Sequence, residues 1–184
     1  MNRLLAVLIL AVLAILPLPA GAETLDPQNT VYMDIAAGRV VIKLRPDLAP
    51  NHVARVKELV KRHFYDGTPF HRVIPGFMAQ GGDPTGTGDG GSDLPDLKAE
   101  FTRTPFVRGT IGAARTPDPN TANSQFYIMF GRADWLDGKY TVWGEVVEGM
   151  EFVDQIKKGN PAVDDGQVTN PDKIIKMQLA ADAK

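Results

Sequence analysis

PFHRVIPGFMAQGGDPT, residues 69–85, places one fixed cation, one amide and two large apolar side chains within nine residues. Arg72 stays charged at any working pH and carries a planar fork of donors. Gln80 offers a donor and an acceptor, while Phe77 and Met78 supply an aromatic wall and an adaptable thioether. No nucleophile accompanies them. Side chains alternate across a strand, so Arg72, Ile74, Met78 and Gln80 share a face, and Pro75-Gly76 is where the chain can bend to bring Phe77 round. The stretch reads as an apolar slot with a hydrogen-bonding rim, and the rest of the chain as its scaffold.

That scaffold has 184 residues, which suits one domain with its own core. A net charge of −2 with scattered Lys and Arg gives nucleic-acid binding nothing to rest on. Cysteine is absent, so disulfides, thiolate metal sites and a thiol nucleophile are excluded together. Residues 1–22 form a separate object. A short positive start ending at Arg3, an unbroken apolar run from Leu4 to Leu16 and a small-residue end at Ala20-Gly21-Ala22 are the three parts of a secretory signal peptide. The run is shorter than the roughly 18 residues that spanning a bilayer demands. Cleavage after Ala22 is expected, leaving a short extension over residues 23–29, a domain over 30–181 and an exported protein, periplasmic in a cell with two membranes.

Within the domain, residues 30–44 alternate as two strands around an Ala37-Gly38 turn. Val53, Val56, Leu59, Val60 and Phe64 then recur at three and four, predicting an amphipathic helix over 51–63 with Lys and Arg on its far side. Short strands are predicted over 109–114, 124–130, 140–147 and 173–179, with Asp137-Gly138 as a hairpin turn. In 124–130, alternation puts Gln125, Tyr127 and Met129 on one face and Phe126, Ile128 and Phe130 on the other, one set for the core and one for the pocket. A second helix is predicted over 148–158, stopped by Gly159-Asn160-Pro161. Many short strands, two helices and no βαβ alternation imply a mainly β fold, a closed antiparallel barrel.

The glycine-rich loop after Gly81 contains Gly86-x-Gly88-x-x-Gly91, but no helix opens at the third glycine, so it is not a dinucleotide fingerprint. Asp83, Asp89, Asp93 and Asp96 lack calcium-loop spacing and read as solvated loop acids; no metal and no cofactor is expected. His71 reads as a structural hydrogen-bonding residue. Taken singly, Phe77 and Met78 suit core packing and Arg72 a surface ion pair; their joint spacing with Gln80 is what points to a site.

Residues 69–85 resemble the active-site strand of the cyclophilins, the peptidyl-prolyl isomerases. ARTPDPNTANSQFYI, beginning at Ala114, and WLDGKYTVWGEVVEGMEFVDQI, beginning at Trp135, resemble later blocks of the same family in the same order. The resemblance implies eight strands with a helix over each open end of the barrel. It also implies an activity that breaks no bond. A prolyl amide rotates over a barrier of roughly 20 kcal/mol, so a catalyst must bind the twisted amide better than either planar isomer. Arg72 is the expected donor to the pyramidal prolyl nitrogen, with Gln80 beside it as the second catalytic residue.

By the same resemblance, Phe77, Met78, Tyr127 and Leu136 line the proline pocket and Tyr140 stands at its edge. Gln80, Ala114 and Arg115 hold the substrate chain, and Gln125 supports Arg72. Trp135 stands at the tryptophan associated with cyclosporin binding, which makes cyclosporin A a candidate inhibitor. Tyr127 replaces the usual Phe, Tyr140 a frequent His, and Arg115-Thr116-Pro117 an Asn-Ala-Gly-like stretch. The expected partners are proline-containing polypeptides, and the expected state is a monomer assisting the folding of exported proteins. A proline-peptide binding module with little turnover and a lipocalin-like ligand barrel are the alternatives from other classes.

Overall fold

The structure, a computed structural model, describes residues 24–183; the leader read at residues 1–22 lies outside them. Eight strands form one antiparallel sheet: β1 (Thr30–Ile35), β2 (Gly38–Leu44), β3 (Arg72–Ile74), β4 (Met78–Gly81), β5 (Thr110–Ala113), β6 (Phe126–Met129), β7 (Val142–Glu148) and β8 (Ile174–Leu179). Their order is β3-β4-β6-β5-β7-β2-β1-β8. Helices α1 (Pro50–Lys61), α2 (Met150–Val153) and α3 (Pro161–Asp164) accompany them. No helix among the described residues is long and apolar enough to cross a membrane.

The expected closed barrel is corrected to an open, curled half-barrel, because edge strands β3 and β8 share no ladder. The seam between them is crossed by isolated antiparallel bridges, Pro69 opposite Lys173 and Arg72 opposite Gln167, with bonds such as Phe70 N–H to the Asp172 carbonyl at 2.9 Å and Val73 N–H to the Gly166 carbonyl at 2.8 Å. The bridges do not extend into a ladder: Asn170 between them and Asp165 and Gly166 just before them stand at positive φ, which breaks the extended run, and Pro171 lacks a donor.

Two expectations about turns and one about helix number also change. Asp137-Gly138 does not close a hairpin, since β6 and β7 each pair with β5 and not with each other. Asp137 instead follows the 3-10 turn Asp134–Leu136 and pairs with Arg132. Asn160-Pro161, read as a helix stop, starts α3: the Asn160 side chain accepts from Ala162 N–H at 3.1 Å, with Pro161 in the first turn where its missing donor costs nothing. The predicted second helix shrinks to the single turn of α2.

Helix α1 ends at Lys61, and His63 lies beyond it at φ 56°. Its start has no local cap, since Ala49 offers no side-chain acceptor. Glu100, from the long loop before β5, does the capping. It accepts from Asn51 N–H at 3.1 Å, His52 N–H at 3.0 Å and His52 Nδ1 at 2.6 Å. Val53, Val56, Leu59 and Val60 join the main core as the periodicity predicts. Arg55, expected on the solvated side, is buried with Nη2 donating to the Pro95 carbonyl at 2.6 Å.

The alternation read in β6 divides the interior in two. Phe126 and Ile128 enter the main core with Tyr65, Phe70 and Trp143. Tyr127 and Met129 enter a second cluster with Met78, Phe106, Leu136 and Val142. Gly112 makes this second cluster possible: a Cβ there would lie 2.4 Å from Cζ of Tyr127, so only glycine leaves room for the phenol.

Candidate active site

The quoted stretch folds as the β3–β4 hairpin. Arg72 pairs with Gln80 and Ile74 with Met78, so the predicted face is a row of directly opposed partners. Pro75-Gly76 makes the bend, with Gly76 at φ 73°, and Phe77 is pinned at its end by Phe130 N–H donating to the Phe77 carbonyl at 2.8 Å.

Above the second cluster lies a cleft of about 430 Å³ lined by Arg72, Phe77, Met78, Gln80, Ala114, Arg115, Tyr127, Trp135, Leu136 and Tyr140. Every residue expected at the site is there except Gln125, which lines an adjoining depression of about 610 Å³. The two hollows share Gln80, Ala114 and Arg115, so an extended chain lying in one continues into the other. Trp135 remains 57% exposed at the rim, its ring packed on Phe77 with centroids 5.6 Å apart.

Polar wiring runs along one wall. Arg72 Nη1 donates to Gln80 Oε1 at 3.4 Å, and Gln80 Nε2 donates to Gln125 Oε1 at 3.0 Å. Gln125 Nε2 in turn donates to the Gly88 and Gly90 carbonyls at 2.7 and 2.8 Å. Gln125 is therefore linked to Arg72 through Gln80. Arg115 lies over the Tyr140 ring at 4.1 Å and donates to the carbonyls of Thr116, Pro117 and Lys139. The Ala114 N–H is given to the Gln125 carbonyl at 3.0 Å, so it is not free to hold a substrate.

The floor is apolar. Tyr127 stacks on Phe106 at 5.8 Å and meets Tyr140 edge-on at 6.0 Å, and its hydroxyl has no partner. Burial pushes that phenol well above its usual range, so it stays neutral. The lining holds no serine, cysteine, histidine or carboxylate. A cleft with one cation, one amide and a greasy floor can grip and polarise an amide, and it has no nucleophile and base to cleave one.

Behind the site, Asp83 corrects the reading of that loop's acids as solvated. It is fully buried and accepts from the N–H groups of Thr85, Gly88 and Gly90 at 2.8, 2.7 and 3.2 Å. Burial pushes its carboxyl up, but these bonds and the Thr85 hydroxyl outweigh burial and hold it below the ordinary value. His71 is also buried, and neither ring nitrogen has a partner at normal hydrogen-bond geometry, against the expected role. Burial lowers its pKa, opposed by Asp83 and the nearby Pro69 carbonyl. Asp165 was not anticipated at the site, yet it takes two further donors of Arg72. Its only sequence signal is the Asp-Gly turn pair.

A family model described as "Cyclophilin type peptidyl-prolyl cis-trans isomerase/CLD" matches residues 30–179. A "Probable peptidyl-prolyl cis-trans isomerase" of Brucella suis is 54% identical over 174 residues, covering 89% of this chain and 88% of that protein. The human "Peptidyl-prolyl cis-trans isomerase-like 1" is 38% identical, over 73% of this chain and 82% of its own. Among solved structures, cyclophilin AquaCyp293 from Hirschia baltica superposes with a TM-score of 0.76 at 28% identity, over 87% of this chain and 77% of that one. A Cryptosporidium parvum cyclophilin type peptidyl-prolyl cis-trans isomerase, solved in the presence of the dipeptide Ala-Pro, gives 0.74 at 26% identity, over 82% and 98%. With a hairpin that sets a guanidinium over an apolar cleft and relatives of this kind along its length, the chain belongs to the cyclophilin-type peptidyl-prolyl cis-trans isomerases.

Proposed function

We propose that this isomerase accelerates rotation about Xaa-Pro bonds of polypeptides folding outside the cytoplasm, with Arg72 as the catalytic donor. The observation that carries the chemistry is the placement of Arg72 and the apolar residues Phe77, Met78 and Leu136 around one cleft. A proline ring seated on that floor is shielded from water. As the amide twists, its nitrogen loses resonance and gains a lone pair, and a guanidinium N–H beside it is a stronger partner for the twisted form than for either planar isomer. Each 1.4 kcal/mol of that difference is about tenfold in rate.

The destination rests on the leader pattern of residues 1–22. Proline-containing chains crossing a membrane unfolded are the substrate class such an address supplies, and a monomer with an open cleft suits them. The exposed Trp135 makes cyclosporin A a candidate inhibitor, while Tyr127, Tyr140 and Arg115 reshape the surface it would meet.

Two measurements test the proposal. A protease-coupled assay on an Ala-Pro peptide, with and without the drug, reads the activity. The N-terminal residue of the protein recovered from the cell envelope reads the address: a chain beginning at Glu23 supports export, and an intact Met1 start in the cytoplasm contradicts it.

A further inference from the structure

Asp165 takes two of the guanidinium nitrogens of Arg72. Nε donates to the Asp165 backbone carbonyl at 2.9 Å and to Oδ2 at 3.1 Å, and Nη2 donates to Oδ1 at 3.1 Å. One edge of the guanidinium is thereby closed. What remains is the Nη1 side, whose bond to Gln80 Oε1 is long at 3.4 Å and readily exchanged for another acceptor.

The carboxylate is held by its backbone, since its side chain is 77% exposed. Asp165 sits at φ 55°, directly after α3, in a conformation that disfavours most side chains and that aspartate tolerates better than most. The chain on both sides of it is strapped to the strand that carries Arg72. Val73 N–H donates to the Gly166 carbonyl at 2.8 Å, Val168 N–H to the His71 carbonyl at 2.9 Å, and Gly159 N–H to the Val73 carbonyl at 2.9 Å. An exposed ion pair contributes little to stability. The left-handed position has another consequence: it lets one residue present its carbonyl and its carboxylate to the same guanidinium edge.

We infer that Asp165 is a positioning residue for the isomerisation, fixing the plane of the Arg72 guanidinium so that its Nη1 side meets the prolyl nitrogen. The inference rests on Arg72 being the donor to that nitrogen. A long arginine side chain left unclamped samples many rotamers, and only a few of them reach the cleft. Clamping one edge keeps the other aimed while the amide twists, and it leaves peptide binding to the apolar floor.

Asp165→Gly tests this without straining the backbone, because glycine adopts positive φ freely. Exchange of a saturating Ala-Pro peptide between its cis and trans forms, followed by NMR, is expected to slow about three- to tenfold. Asp165→Asn, which keeps a side-chain acceptor, recovers most of the rate. Peptide affinity, read from Trp135 fluorescence, stays unchanged. In an Arg72→Lys background, where no two-nitrogen pair can form, Asp165→Gly has no further effect. The Arg72 Nη2–H signals, distinct in the wild type where Nη2 is held on Oδ1, average with the other Nη protons in Asp165→Gly whatever the activity, whereas Nε–H keeps its bond to the backbone carbonyl of residue 165 and changes little. An unchanged rate, an equal loss in both backgrounds, a loss of affinity in place of rate, or unaltered Nη2–H signals overturns the inference. An Arg72→Ala variant as active as the wild type instead removes the assignment of Arg72 as donor, and the Nη2–H signals then report on the clamp alone.

Discussion

Arg72 and Gln80 stand directly opposite each other across the β3–β4 hairpin, the guanidinium donating to the amide oxygen over 3.4 Å. The amide in turn donates to Gln125, which grips the glycine loop. Gln80 thus joins Arg72 on the cleft wall to the loop behind it. Gln80→Leu keeps the bulk and breaks both bonds. The rate constant kcat/KM on an Ala-Pro peptide is expected to fall about threefold, because the Arg72–Gln80 bond is long and its loss removes only part of the support of the guanidinium. Thermal unfolding checks that the fold survives, with Tm unchanged. Full activity in this variant would show that the wall is held some other way.

Glu100 is predicted to matter for stability and not for catalysis. It supplies the only side-chain acceptor described at the start of α1, and it contacts His52 Nδ1 at 2.6 Å. Glu100→Ala leaves those N–H groups and a buried imidazole without their acceptor. A loss of about 2 kcal/mol in urea unfolding is expected, with kcat/KM unchanged at temperatures where the variant is folded.

Tyr127→Phe is predicted to stabilise the protein. The hydroxyl is buried beside Gly112 and has no hydrogen-bond partner, so it carries a desolvation cost without return. Removing it should raise stability by about 1 kcal/mol. The rings of Phe106 and Tyr140 still hold the residue in place, so isomerase activity should stay within about twofold. A large loss of activity would mean that the phenol touches substrate.

Acid should destabilise the fold from about pH 6.5 downward. Burial is the leading cause that lowers His52 and His71 below the ordinary 6.5, although Glu100 and Asp83 pull each the other way. Both imidazoles are therefore neutral when folded and take up protons more readily when unfolded. Their stabilising contribution is complete above 6.5 and is lost as pH falls towards their lower folded values. Glu100 and Asp83 act in the same direction at lower pH. Burial raises each, but hydrogen bonds outweigh it and hold them under 4.5 and 3.8, so their contribution fades as those carboxylates protonate. Urea midpoints at pH 7.5, 6 and 5 should fall in that order; a constant midpoint would contradict the assignment.

The parts of this molecule written in local patterns were legible without coordinates. Strand alternation in β6 sorted Phe126 and Ile128 from Tyr127 and Met129, because a half-buried strand must alternate. The parity of Arg72, Ile74, Met78 and Gln80 became a paired register for the same reason. What escaped was non-local. Glu100 caps a helix 48 residues away in sequence, and Asp83 is buried by a loop that folds back on it. Neither leaves a periodic trace. Asp165 reaches Arg72 across 93 residues. The open seam between β3 and β8 depends on the positive-φ residues Asp165, Gly166 and Asn170 breaking the extended run, whereas the pattern of many short strands suggested closure. Asn160-Pro161 illustrates a real ambiguity, since the same pair can follow one helix or begin the next.

Whether Arg72 turns a proline-binding cleft into an isomerase is decided by comparing wild type with Arg72→Ala in two numbers: the rate of cis–trans exchange of an Ala-Pro peptide, and its affinity read from Trp135 fluorescence. The exchange rate is predicted to fall ten- to a hundredfold, roughly the loss of one or two tenfold factors of transition-state stabilisation, while the affinity changes by less than about threefold. A variant that exchanges the peptide as fast as the wild type, or that loses rate only in proportion to lost binding, would contradict it.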